Sequence, residues 1–106
     1  VYAHYAHLQA GSVQVRPGQR VRRGTAIGRL GQTGSAGAPH LHFHISDRPG
    51  FERSEGLPFV IDRFTLLGEA TIEDSFDPAV PVRVRAPGAR LHRDELPLDG
   101  SIVAFP

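Results

Sequence analysis

Ala38-Pro39-His40-Leu41-His42-Phe43-His44-Ile45 is the stretch on which the fold turns. Histidine occupies every second position from 40 to 44, with Leu41, Phe43 and Ile45 between. Successive side chains of a β-strand point to opposite faces, so strict alternation predicts a half-buried strand. One face would carry imidazoles and the other only apolar groups. The apolar face would anchor the strand in a core and hold the imidazoles on a rigid support. Imidazole binds transition metals and titrates near neutral pH, so three in register point to a metal or proton-transfer site.

The segments before this strand are also β-like. Val1 to Leu8 is β-prone and carries His4 and His7. Three apart on a regular strand, those two would face opposite ways unless a bulge intervenes. From Val13 to Leu30, glycine or proline recurs every few residues between short apolar pairs, which predicts a dense series of tight antiparallel hairpins. Arg16, Arg20, Arg22, Arg23 and Arg29 fall in this region, either as a solvated surface or as a contact for an anionic polymer. Gly31 to Pro39 is a glycine-rich loop. It lacks the Gly-Lys-Ser/Thr ending and following helix of a phosphate cradle, and instead delivers His40 to the rim of a groove.

Beyond Ile45 the signals weaken. Ser46 to Leu57 reads as a polar loop, and Phe59 to Leu67 as β-leaning with a short helix as the alternative. Pro78 to Arg85 reads as an edge strand, and Leu96 to Phe105 as a turn with a final short strand. His92 lies in an exposed-looking segment with no functional signal. The fold class expected is all-β, an antiparallel sheet with short hairpins followed by a β-rich C-terminal extension.

Composition sets outer limits. The chain has 106 residues, a formal charge of +1 and no cysteine, so disulfides and thiolate metal sites are excluded. A charge so near zero argues against a nucleic-acid binder driven by bulk electrostatics. No apolar run reaches the roughly 18 residues of a membrane span. Methionine is absent even at position 1, and the opening residues already read as strand, so the chain is expected to be the interior of a larger protein.

By spacing alone, His40 and His42 approach one ion best, while His44 lies about 7 Å further along the strand. A third ligand would have to come from elsewhere, with His7 the best candidate. Carboxylates occur only after Ile45, in no convincing ligand spacing.

Tyr5-Ala6-His7-Leu8, Val15-Arg16-Pro17-Gly18-Gln19-Arg20-Val21-Arg22-Arg23-Gly24, Ile27-Gly28, Gly31-Gln32-Thr33-Gly34 and His40-Leu41-His42-Phe43 follow one another in fixed order. Together they closely resemble the lysostaphin-like zinc metallopeptidases of the M23 class, over roughly residues 1–46. Residues 47–106 would be a C-terminal extension. The resemblance implies an antiparallel β fold of the duplicated-hybrid-motif type with one Zn2+ at the floor of a narrow groove. It implies an endopeptidase that cuts the peptide cross-links of bacterial peptidoglycan, and therefore an extracytoplasmic location. It also implies a role for each histidine: His42 binds zinc, His40 acts beside the metal, and His7 is its catalytic partner. The family often has an acidic residue at position 44, so His44 departs from the commonest form and is expected to support the strand face.

The family's other two zinc ligands, a histidine and an aspartate, precede the Tyr-x-His-Leu element. His4 has no aspartate after it at suitable spacing and does not replace them. The chain is therefore expected to be N-terminally truncated and to hold zinc weakly by itself. Two further classes compete. A non-catalytic relative would bind cell wall or regulate a partner hydrolase; the presence of all three histidines argues against it. A lipoyl- or biotinyl-type carrier would need a lysine at a hairpin tip, and the chain contains none.

Overall fold

The computed structural model describes residues 1–71, 73 and 79–106. They form two compact units, Val1–Leu57 and Pro58–Pro106. The described residues are organised by antiparallel β structure and contain no α-helix, in keeping with the all-β expectation.

The first unit is built on two strands. β1, Tyr2–Ala6, pairs antiparallel with β2, His42–Ser46, in the register Tyr2↔Ser46, His4↔His44, Tyr5↔Phe43 and Ala6↔His42. Directly opposed residues share a face. His4, His42, His44 and Ser46 therefore lie on one side, and Tyr5 meets Phe43 on the other at 5.0 Å between ring centroids. The strand starts two residues later than the alternation suggests. His40 joins the structure through a single antiparallel bridge to Gly31.

The apolar face is less buried than expected. Phe43 and Ile45 are half-buried, while Leu41 and Tyr5 are exposed. The deepest residue of the unit is polar: Ser46, only 1% exposed. Its hydroxyl donates to the Arg48 carbonyl at 2.7 Å and lies 2.8 Å from His4 Nε2. With that hydroxyl proton committed, the oxygen accepts from His4 Nε2–H. Ser46→Ala would leave the imidazole N–H without its partner. It should destabilise the first unit by about 1–3 kcal/mol, measurable as a fall in melting temperature.

Between the strands, the turns form but the expected hairpin strands do not. Gln19 N–H bonds the Arg16 carbonyl and Thr25 N–H bonds the Arg22 carbonyl, each at 3.0 Å, with Gly18 and Gly24 at φ near +78° and +79°. Each turn is also tied by a side chain, Gln19 Oε1 accepting from Arg16 N–H and Thr25 Oγ1 from Arg22 N–H. The segments between turns are too short to build a ladder. One Gln14–Ile27 backbone bond and the Leu8↔Leu30 bridge carry the cross-connections.

The second unit is a three-stranded antiparallel sheet. β3, Phe64–Glu69, is central, flanked by β4, Arg90–His92, and β5, Ser101–Ala104. A bulge between Leu66 and Gly68 shifts its register with β5. Phe64 is 2% exposed and stacks on His92, with centroids 5.1 Å apart and planes 8° from parallel. His92, expected in an open segment, thus lies in a strand and contacts Glu95 at 2.8 Å.

The edge strand expected from Pro78 to Arg85 is not formed over its described part. Pro78 itself lies outside the described residues. Val80, Val82 and Val84 are exposed, and only Arg85 bridges, to Glu69. Pro81 supplies no N–H, which prevents a continuous ladder there.

Candidate active site

Five of the six histidines of the chain gather on one face of the first unit. Ring centroids are 4.7 Å apart for His7 and His40, 5.8 Å for His7 and His42, 5.1 Å for His42 and His44, and 4.4 Å for His4 and His44. The last pair is stacked within 9° of parallel. Antiparallel register explains why His4 meets His44, since the two are directly opposite.

His7 corrects the expectation that it and His4 face opposite ways. β1 ends at Ala6, and His7 adopts φ of +63°, the left-handed region. That single residue breaks the alternation and brings the His7 ring to the same group of imidazoles. A bulky residue resists this conformation by about 1–2 kcal/mol, so the surroundings must hold it. They do so through Thr33, whose carbonyl is 2.7 Å from His7 Nδ1 and whose hydroxyl donates to the Leu8 carbonyl at 2.7 Å.

The tautomers of two rings follow from their partners. A carbonyl oxygen only accepts, so His7 Nδ1 carries a proton and donates to Thr33. His40 Nδ1 lies 2.8 Å from the Ala38 carbonyl and donates likewise. In their neutral forms both rings therefore present Nε2 as a bare lone pair. This is the arrangement in which a backbone carbonyl orients an imidazole for proton transfer or ligation.

Gly31 holds the two catalytic candidates together. Its carbonyl accepts from His40 N–H at 3.2 Å, while Gln9 N–H bonds the Arg29 carbonyl at 2.9 Å just beside it. A Cβ at position 31 would stand 2.3 Å from Gln9 N and 2.7 Å from the Leu8 carbonyl carbon, so only glycine permits this approach.

Phe51 completes the row. It is 63% exposed, yet its ring lies 5.3 Å from that of His44, 5.4 Å from His4 and 6.2 Å from His42. The loop that carries it is closed by Asp47 N–H to the Glu55 carbonyl, Glu55 N–H to Asp47 Oδ1 and Leu57 N–H to the Ile45 carbonyl. Sequence reading missed Phe51, His4 and Ser46 as members of this cluster. The signal for His4 was its register with His44, which depends on pairing across about forty residues of chain.

Packing removes water from the half-buried His44 ring, and the neighbouring His4 and His42 rings further disfavour a positive charge on it. Its pKa lies below the ordinary histidine value of 6.5. The unfolded chain then holds this proton more firmly than the folded one, so stability rises with pH through this range. The stabilisation is full above about pH 6.5 and is lost as pH falls through the folded pKa. Melting temperatures recorded from about pH 5 to 8 should climb with pH, and His44→Asn should flatten that climb.

Among the described residues, no three histidine, aspartate or glutamate side chains converge as a metal cage. A complete three-ligand zinc shell does not fit these residues alone. The geometry does fit two oriented imidazole bases beside a third imidazole on a strand.

The family model for Peptidase family M23 matches residues 1–53, the part of the chain that carries all five clustered histidines. The chain belongs to peptidase family M23. No solved structure matches it.

Proposed function

We propose that the chain belongs to a zinc-dependent endopeptidase that cleaves peptide cross-links of bacterial peptidoglycan outside the cytoplasmic membrane. Residues 1–46 carry its catalytic elements, and 47–106 form a C-terminal extension. The observation that carries this reading is the pair His7 and His40, each with Nδ1–H tied to a main-chain carbonyl and the rings 4.7 Å apart beside His42. Membership of a peptidase family supplies the reaction class.

Hydrolysis of a peptide bond needs a base to take a proton from water and an acid to return one to the leaving amine. Nε2 of His7 and of His40 are the groups available for both duties. Protonated, either ring also donates to the oxyanion that develops on the scissile carbonyl. Zinc would polarise that carbonyl and lower the pKa of a bound water, with His42 as one ligand by the family pattern. The described residues do not converge as a full cage, so His42 would need further ligands to hold the ion.

Two measurements test the reading. Digestion of purified peptidoglycan by the protein as its gene encodes it should release fragments with newly freed amino groups from the cross-links. Intact cross-links after digestion would refute the substrate assignment and favour a wall-binding module. Zinc titration of the 106-residue chain should show only weak binding; one tightly held zinc per chain would refute the shared-cage arrangement.

A further inference from the structure

The Nδ1 of His44 lies 3.2 Å from His42 Nε2. Two nitrogens bound to one tetrahedral zinc, with bonds of about 2.0–2.1 Å, lie about 3.3 Å apart. The centroids of two such imidazoles lie about 5.2 Å apart on the same geometry. The His42 and His44 centroids are 5.1 Å apart. An in-line hydrogen bond of the same length would hold them at about 5.5 Å. The shorter spacing is met by two rings inclined toward a common point. Alternation on β2 places both on one face, and this explains why two residues at i and i+2 reach one locus.

We propose that His42 Nε2 and His44 Nδ1 form a two-imidazole chelate for a first-row divalent transition metal, making His44 a metal ligand of this chain. The assignment differs from the His40–His42 pair that spacing favours, because the ring nitrogens that approach each other are those of His42 and His44, while the His40 ring neighbours His7. The His44 ring is held in place before any metal arrives. It stacks on His4, and His4 is fixed by the buried Ser46 hydroxyl. The Phe51 ring lies 6.2 Å from that of His42 and 5.3 Å from that of His44. Imidazole suits zinc, copper and nickel, and two nitrogens leave the other positions to water or to further ligands.

The exchange balances without a co-reactant. In the metal-free pair one ring donates its N–H to the other across 3.2 Å. On metal binding, that proton moves to the outer nitrogen of the same ring. Two neutral rings then each offer a lone pair, with no net proton released. The chelate concerns this chain's own residues and is read by metal affinity, so it stands or falls separately from peptidase activity.

The test is titration of the 106-residue chain with zinc ion alone, followed by calorimetry and by 15N signals of the imidazole nitrogens. His42→Ala and His44→Ala should each weaken binding by at least about tenfold, while His92→Ala leaves it unchanged. Zinc should shift His42 Nε2 and His44 Nδ1 in the unsubstituted chain, and this readout does not depend on any variant folding. Loss of affinity in His40→Ala with none in His44→Ala, or zinc-induced shifts at His40 in place of His44, would overturn the proposal.

Discussion

Replacing Gly31 with alanine is expected to produce the largest structural loss of any single methyl addition in the first unit. The new Cβ would stand 2.3 Å from Gln9 N and 2.5 Å from Gln9 Cα, both main-chain atoms that cannot swing aside. Relief requires the chain at 8–9 to separate from the chain at 30–31, which breaks the Leu8↔Leu30 and Gly31↔His40 bridges together. Overpacking that shifts backbone costs about 1–3 kcal/mol, and a clash with main-chain atoms puts this site at the upper end. The melting temperature should fall by more than about 10 °C, given roughly 4–8 °C per kcal/mol in a small domain. The same movement pulls His7 away from His40, so activity should fall even at temperatures where the variant remains folded. A Gly31→Ala protein with an unchanged melting temperature would show that this close approach does not exist. Gly37, with nothing within 4 Å of an added Cβ, is the matched control and should tolerate alanine.

The second large effect concerns chemistry. In the protein as its gene encodes it, His7→Ala and His40→Ala should each lower kcat by about 10²–10⁴, the usual contribution of a positioned general acid or base. In the proposed mechanism each ring acts on the proton in flight and not on substrate docking, so KM should change much less. If the two rings work as a unit, as proposed, the double variant should be little worse than the poorer single one. His42→Ala should lose activity at least as far, and should also lose retained metal. A His40→Ala protein with full kcat would remove His40 from the catalytic set. The distinction between KM and kcat separates a chemical role from a purely architectural one.

Much of this arrangement was legible from residue order. Alternation at 40–45 identified the strand and the face its imidazoles share, and Gly18 and Gly24 marked turns that form as expected. His7 was named as the best third ligand by pattern and again through the Tyr-x-His-Leu element, although strict alternation would have set it on the opposite face from His4. Its left-handed backbone prevents this: one residue at positive φ inverts the alternation, and although histidine enters this region more readily than most side chains, its identity alone does not place it there. His4 and Phe51 were not placed in the cluster, for a different cause. Each joins the site through a partner distant in sequence or through loop closure, and such contacts are set by register and packing. The second unit was harder still. Its β3 was anticipated only as a β-leaning stretch, and the stacking of Phe64 on His92 depends on pairing across nearly thirty residues.

The conformation of His7 also bears on how such a site would drift without selection for its chemistry. Glycine occupies φ near +63° without the clash that an L side chain meets there, so selection for folding alone would favour glycine at position 7. His7→Gly should therefore fold no worse than His7→Ala, although both lack the imidazole. A descendant that had abandoned hydrolysis would be free to take that relief. Under the proposed catalytic role, the strain at position 7 is the conformational cost of holding an imidazole there.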